Sequence, residues 1–169
     1  MATETPGSLM VRRYRASDRD GVLMLLYVLH GSYKDSIVPP YLRQFGEDRD
    51  LVKAYSEYMD IVERGHGEQY MTLVAESEPG RIVGVIIGST EDDEWDVLTP
   101  IGILEDWFVT EDHRRTGVGS MLYQRLEEWF RSRGCRQVKS DTWMTNHLSR
   151  DVHGALGFVE YGVDLRKRL

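Results

Sequence analysis

Apolar residues recur with two periods along this chain, and the changes of period mark out its elements. Residues 9–15 alternate as a first strand. Ser17-x-x-Asp20 then has capping-box spacing, with Asp in place of Glu, ahead of a helix carrying Val22, Leu25, Leu26 and Leu29 on one stripe. Residues 31–46, with Pro39-Pro40, break the pattern and read as an irregular stretch that could border a cleft. The helical period returns from about Glu47, where Leu51, Ala54, Tyr55, Tyr58, Met59 and Val62 fall in register and Gly65 is a stop. From Tyr70 the period becomes two. Residues 71–76 and 81–89 are β-rich runs joined by Glu78-Pro79-Gly80-Arg81, a hairpin signal.

Residues 101–109 form an apolar run with the character of a buried strand. Val118, Met121, Leu122, Leu126, Trp129 and Phe130 then make a helical stripe reaching Arg133, with Gly134 as its stop. Residues 136–141 read as a strand, Asn146 as the cap of a helix running to about Leu156 and ended by Gly157, and residues 158–165 as a last strand. The order β-α-α-β-β-β-α-β-α-β shows no internal repeat and no linker. It predicts a single α/β domain over residues 9–169 behind a frayed tail, residues 1–8.

Composition narrows the function classes. At 169 residues the chain is long enough for one domain with a real core, and 41% apolar with 29% charged residues is ordinary for a soluble globular protein. No stretch approaches the roughly 20 apolar residues of a membrane span, and the N-terminus lacks an apolar signal core. The lone Cys135 rules out an internal disulfide and reads as small filler at a strand start. These features together lead us to expect a cytoplasmic protein. The net charge of −7 disfavours nucleic acid and favours cationic partners. Glu91, Asp92, Asp93, Glu94 and Asp96 surround Trp95, either as a solvated loop or as a lip that attracts a cation.

The stretch with the most chemistry is residues 112–120, Asp-His-Arg-Arg-Thr-Gly-Val-Gly-Ser, between the apolar strand and the amphipathic helix. A strand-to-helix turn of this kind crowds backbone N–H groups at the positive end of a helix, which suits a pyrophosphate, and Arg114 and Arg115 add charge. The dinucleotide fingerprint wants a third glycine where Leu122 stands, and the Gly-Lys-Ser/Thr ending of a P-loop is absent. Arg114-x-x-Gly117-x-Gly119 resembles the acyl-CoA pyrophosphate loop of the GNAT family of N-acetyltransferases. Two further segments match in order: Leu104-Glu105-Asp106-Trp107-Phe108-Val109 is similar to the family's fourth strand, and Asn146, His153 and Gly157-Phe158 reproduce its Asn-x6-Tyr-x3-Gly-Phe spacing. Gly134-Cys135-Arg136, Ser140-Asp141-Thr142, Val152-His153-x-Ala155-Leu156-Gly157-Phe158 and the ending Arg166-Lys167-Arg168 resemble the aminoglycoside 6'-N-acetyltransferase branch.

The resemblance implies a mixed, mostly antiparallel sheet flanked by helices and splayed where acetyl-CoA binds, with a homodimer as the assembly. It implies that Arg114, Arg115, Thr116, Gly117, Val118, Gly119 and Ser120 hold the pyrophosphate. The backbone around Trp107, Phe108 and Val109 would receive the pantetheine arm and the developing oxyanion. Asn146 would cap its helix and bond the cofactor's amide arm, with Ser149 on the same face. Trp107 and Trp143 either line the channel or are simply core.

In such enzymes the amine attacks the thioester directly, in a ternary complex. An amine near the lysine value of about 10.4 is protonated at neutral pH, so a carboxylate must take its proton. Glu105 and Asp141 are the two candidates; each could instead be a structural acceptor, Asp141 in the turn before Asn146. In a regular strand Asp106 points to the opposite face, which gives it a structural role. The leaving thiolate needs a proton, and where the wider family often has Tyr this chain has His153, either a donor or a packed helix histidine. No metal is expected, because His113, His147 and His153 lack partners at ligand spacing and His66 sits between two glycines. The expected acceptor is a small cationic amine such as an aminoglycoside. Acetylation of a protein or peptide amine stays open, as does a non-catalytic acyl-CoA sensor, although Glu105, Asp141 and His153 together weigh against the sensor.

Overall fold

The computed structural model describes residues 9–36, 51–94 and 97–164. Five strands lie in one sheet in chain order: β1 (Met10–Arg13), β2 (Tyr70–Glu78), β3 (Arg81–Glu91), β4 (Ile101–Val109) and β5 (Gln137–Ser140). Each of the first four is antiparallel to the next, and β5 joins β4 in parallel, so the sheet is mixed and mostly antiparallel. The parallel step needs a crossover, and α3 (Val118–Ser132) supplies it.

Both faces are covered. Val74, Val85, Ile87 and Phe108 pack under α1 (Arg19–Ser36) and α2 (Leu51–Arg64), meeting Leu26, Met59 and Val62. Leu73, Ile86 and Leu104 pack under α3, and α4 (His147–Ala155) adds Leu156 just past its end. The central strands are therefore apolar on both sides, which explains why β2 and β3 carry nearly continuous runs of buried residues. The predicted stripe of α3 is the buried face: Val118, Leu122, Tyr123, Leu126, Trp129 and Phe130 are buried, and only Met121 of the stripe stays exposed.

Three sequence expectations change. The cap ahead of α1 is Asp18, not the Ser17 and Asp20 pair. A 3-10 turn at Ala16–Asp18 brings its carboxylate to the Arg15 N–H at 2.8 Å and to the Arg12 guanidinium at 2.6 Å, while Arg12 also reaches Glu76 at 2.7 Å. Asp18 is buried, and a buried carboxylate is tolerated when it is paired in this way. The helix then continues through Gly31 to Ser36, so the irregular stretch starts later than the sequence suggested, and residues 37–50 lie outside the described set.

The last strand is the third change. Phe158 packs on the core, but residues 159–164 form no strand and are exposed. Alternation alone does not make a strand: it needs a neighbour to complete its ladder, and here no described strand provides one. The tail 1–8 and the basic ending at 166–168 fall outside the described residues. No described helix is long and apolar enough to cross a membrane.

Candidate active site

The sheet opens between β4 and β5. Their pairing covers Ile101 to Leu104 against Gln137 to Ser140, and β4 then continues through residues 105–109 paired with β3 alone. That leaves an open edge of extended backbone, ending where the phosphate turn begins.

The turn has the geometry of an anion cradle. After a 3-10 turn at Glu111–His113 the chain passes through Arg115 at φ 61° and Gly117 at φ 90°, two left-handed residues separated by Thr116. Gly117 adopts its conformation without strain; Arg115 does so at a cost, and such outliers cluster at ligand sites. The Thr116 hydroxyl braces the turn by donating to the His113 carbonyl at 2.7 Å. Gly119 lies against Trp107, where a Cβ would meet the ring at 3.2 Å. The helix start and the open edge of β4 are thus brought close by the absence of a side chain. Arg115, Thr116 and Ser120 are exposed, whereas Val118 and Phe108 are core, so those two can offer a ligand only their backbone. Arg114 turns back, donating from Nε to the Val109 carbonyl at 3.0 Å with its guanidinium 5.5 Å from the Phe108 ring.

The two expected proton acceptors sit at the mouth of the opening. Glu105 and Asp141 are each the first residue past the last β4–β5 pair, Leu104 with Ser140, and both are exposed. Glu105 is held: the Ser89 hydroxyl donates to its Oε1 at 2.5 Å. Asp106 does not point to the opposite face as a regular strand would have it. A bulge between Ile87 and Gly88 inserts Glu105 and pairs Asp106 with Ile87, on the α1–α2 face. Glu105 lies on that face too, beside Tyr70. Burial pushes the Asp106 carboxyl up to about 6; the Tyr58 hydroxyl opposes that shift and the Glu105 charge adds to it. Tyr58 is raised as well, by burial first and then by Asp106. Its buried hydroxyl satisfies no hydrogen-bond geometry with a described residue, although Asp106 is the acid that acts on it most strongly.

On the other side of the opening, His153 is fixed by both ring nitrogens. Nδ1 lies 2.7 Å from the Ser149 carbonyl and so carries a hydrogen, and Nε2 lies 2.9 Å from the Ser140 hydroxyl. Its ring stands edge-on to Trp107 and Phe158, at 6.0 and 4.9 Å. Asn146 caps α4 by accepting the Ser149 N–H at Oδ1, 3.1 Å, which leaves its NH2 group for another partner. Trp107 is half-buried between Tyr123 and His153, and Trp143 is half-buried as well. The acidic run at residues 91–96 starts at the far end of the β3–β4 hairpin from the phosphate turn, and Trp95 and Asp96 lie outside the described residues.

Comparison with known proteins decides the family. A model described as "Acetyltransferase (GNAT) family" matches residues 34–158. The chain belongs to the GNAT acetyltransferase family. An aminoglycoside N(6')-acetyltransferase type 1 from Klebsiella aerogenes is 45% identical over 60 residues, 36% of this chain and 40% of that protein. The match thus spans well under half the length of that curated relative. Among solved structures, AAC(6')-Iy in complex with a bisubstrate analogue, CoA-S-monomethyl-acetylneamine, superposes with TM-score 0.71 at 23% identity, over 95% of this chain and 99% of that one. An acetyltransferase from Trypanosoma brucei does so with TM-score 0.69 at 26% identity, over 96% and 100%.

As a member of the GNAT family the chain should accept acyl-CoA, and its residues fit that group. The left-handed turn, the α3 start drawn against Trp107 and the one-sided edge of β4 form a continuous strip of backbone donors and acceptors. Five residues near this site were given no part in it by the sequence reading: Ser89, Tyr58, Tyr70, Ser140 and Asp106 as a neighbour of Glu105. Ser140 and Asp106 each stood inside a quoted word, Ser-Asp-Thr and Leu104–Val109. The others are ordinary core-periodic residues until the bulge brings them together.

Proposed function

We propose that this chain is an acetyl-CoA-dependent N-acetyltransferase of one domain, residues 9–169, whose acceptor is a primary amine of a small cationic molecule, foremost an aminoglycoside 6'-amine. The observation that carries the reading is the open edge of β4, with a phosphate turn at one end and Glu105 at the other. The likeness of the chain to aminoglycoside N(6')-acetyltransferases supports the acceptor class.

Acetyl-CoA, when bound, supplies an activated acetyl thioester. The chain does the positioning and the proton work. Backbone N–H groups of the turn and the first turn of α3, with Arg115 beside them, hold the pyrophosphate. Residues 107–109 offer their free backbone to the pantetheine amides, and the Asn146 NH2 group adds a donor from α4. Glu105, oriented by Ser89, takes the proton from the amine, and Asp141 holds the cation at the mouth. Because Nδ1 of His153 is committed to a carbonyl, its proton chemistry runs through Nε2 and the Ser140 hydroxyl toward the departing sulfur. The assembly we propose is a homodimer, supported by the exposed Val159, Tyr161 and Val163 past the core.

The experiment is CoA-thiol release from acetyl-CoA against aminoglycosides with and without a 6'-amine, polyamines, amino-sugars and short peptides. Turnover confined to 6'-amino aminoglycosides is the expected outcome. Turnover with peptides alone would move the acceptor to protein amines, and acetyl-CoA binding without any turnover would leave a sensor.

A further inference from the structure

Ser140 and His153 form an arrangement that amine acetylation does not exhaust. The Ser140 hydroxyl lies 2.9 Å from Nε2 of His153, and Nδ1 of the same ring lies 2.7 Å from the Ser149 carbonyl. A carbonyl only accepts, so Nδ1 carries the hydrogen and Nε2 keeps its lone pair. The Ser140 hydroxyl therefore donates to an imidazole that a third group orients. The Ser149 hydroxyl, 3.3 Å from Nδ1, adds to that hold, and Trp107 and Phe158 wall the ring edge-on. A hydroxyl, a base and an orienting acceptor in this order are the signature of an activated serine.

The place of Ser140 in the sheet matters as much. It closes the β4–β5 ladder opposite Leu104, and beyond that pair β4 runs on with one side free as far as the turn before α3. With the pyrophosphate at the turn, as proposed above, an arm laid along this edge brings its thioester to the end where Ser140 stands. Ser140 and His153 are both half-buried, so neither is sealed from that edge.

We propose that Ser140 is a nucleophile, and that this site hydrolyses acetyl-CoA through an acetyl-serine when no amine occupies it. The inference rests on the acyl-CoA reading of the β4 edge and adds a second activity to it, that of a thioesterase. Ser140 Oγ bonds to the thioester carbonyl carbon as the carbon–sulfur bond breaks. Its proton passes to Nε2 of His153 and on to the departing sulfur, which leaves free CoA thiol and an acetyl ester on Ser140. Water then attacks that ester and gives a proton to Nε2, which returns it to Oγ as acetic acid departs. The unpaired backbone of the β4 edge supplies N–H donors to the oxyanion in both steps. The orienting group is a neutral carbonyl and not a carboxylate, so the imidazolium is stabilised less and hydrolysis runs slower than amine transfer.

The test has two arms. In the first, the free protein is treated with a fluorophosphonate, which captures activated serines covalently. The wild type should be labelled on the peptide carrying Ser140, saturating CoA should slow the labelling, and His153→Ala should lower its rate at least about a hundredfold. In the second, acetyl-CoA is supplied without any amine, and thiol and acetate should appear in equal amounts. Ser140→Ala should cut both at least about a hundredfold. Ser140→Cys should recover thiol release and carry the acetyl group at position 140, not at Cys135, by peptide mapping.

Acetate release by Ser140→Ala at the wild-type rate would overturn the inference, as would a wild type that releases no acetate without an amine. Loss of hydrolysis in Ser140→Ala with no covalent capture in the wild type would overturn it too, because the pair would then be activating water. The broader reading fails separately. Thiol release with amines and none without them keeps the acetyltransferase and removes the acetyl-serine. Capture and hydrolysis with no amine turned over keep the acetyl-serine and remove the acetyltransferase.

Discussion

Gly119 and Asp106 are the two residues where one atom group decides most. At Gly119 an added Cβ would stand 3.2 Å from the ring of Trp107, which is itself packed against Tyr123 and His153 and has little room to yield. Gly119→Val should therefore shift either Trp107 or the start of α3 and raise the Kd for acetyl-CoA at least about tenfold, roughly 1.4 kcal/mol. Gly119→Ala should fall between. Unchanged affinity in calorimetry would withdraw the phosphate-turn assignment. At Asp106 the sign of the pH effect can be worked out. Its folded value of about 6 lies above the ordinary 3.8, so below pH 3.8 both states are protonated and nothing is lost. Between the two values the unfolded chain ionises while the folded one resists, and stability falls as pH rises; the loss is complete above about 6 and amounts to at most about 3 kcal/mol. Asp106→Asn keeps the shape and removes the titrating group, and should raise Tm at pH 7.5 while leaving it nearly unchanged at pH 4. A variant no more stable than wild type at pH 7.5 would mean that the carboxyl is already well solvated.

Among the elements, the join of β1, the 3-10 turn and β2 depends on a single guanidinium. Arg12 bonds both Asp18 and Glu76, and the Asp18 carboxyl is held below the ordinary range chiefly by that contact. Arg12→Ala leaves Asp18 buried with only the Arg15 N–H to hold it and should destabilise the fold by about 3–5 kcal/mol at pH 7. The depressed value makes this stabilisation present above the ordinary carboxylate range and lost as pH falls through it, so urea midpoints of wild type and variant should converge toward pH 3. A constant gap would assign the loss to packing of the Arg12 stem. Elements of this kind were legible in sequence to very different degrees. The span of β4 and the buried stripe of α3 followed directly from periodicity, because each is a long segment whose pattern the core repeats. The bulge left no trace, since a register shift opposite Ile87 and Gly88 is a property of the pairing of two strands and not of either strand's own pattern. Without it Asp106 was read on the wrong face, and the cluster of Ser89, Tyr58 and Tyr70 around the two acids was invisible. The turn between β4 and α3 was legible because glycine spacing encodes it locally. The Ser140–His153 contact was not, because the two residues come from separate elements.

For the molecule as a whole, the unresolved issue is its edge. Val159, Tyr161 and Val163 are 81%, 81% and 78% exposed and alternate in sequence along a segment that follows the last helix. A chain that leaves β-branched and aromatic residues in alternation, with no ladder among the described residues to join, is an aggregation hazard unless something covers them. A second copy is the cover that fits: it offers the same segment and the same free β5 edge, so one symmetric contact satisfies both. Each chain carries a net charge of −7, so two copies repel at long range, and screening should help them meet. Light scattering at micromolar concentration should give twice the monomer mass, with a larger dimer fraction at 300 mM salt than at 50 mM. Tyr161→Asp combined with Val163→Lys should yield a monomer that keeps its secondary structure, since neither residue belongs to either core. A monomeric wild type, or a double variant that still dimerises, would place the contact elsewhere. Should the monomeric variant also lose acceptor affinity, the acceptor site would depend on the subunit contact, and the acceptor's size would be limited by the dimer as much as by the sheet.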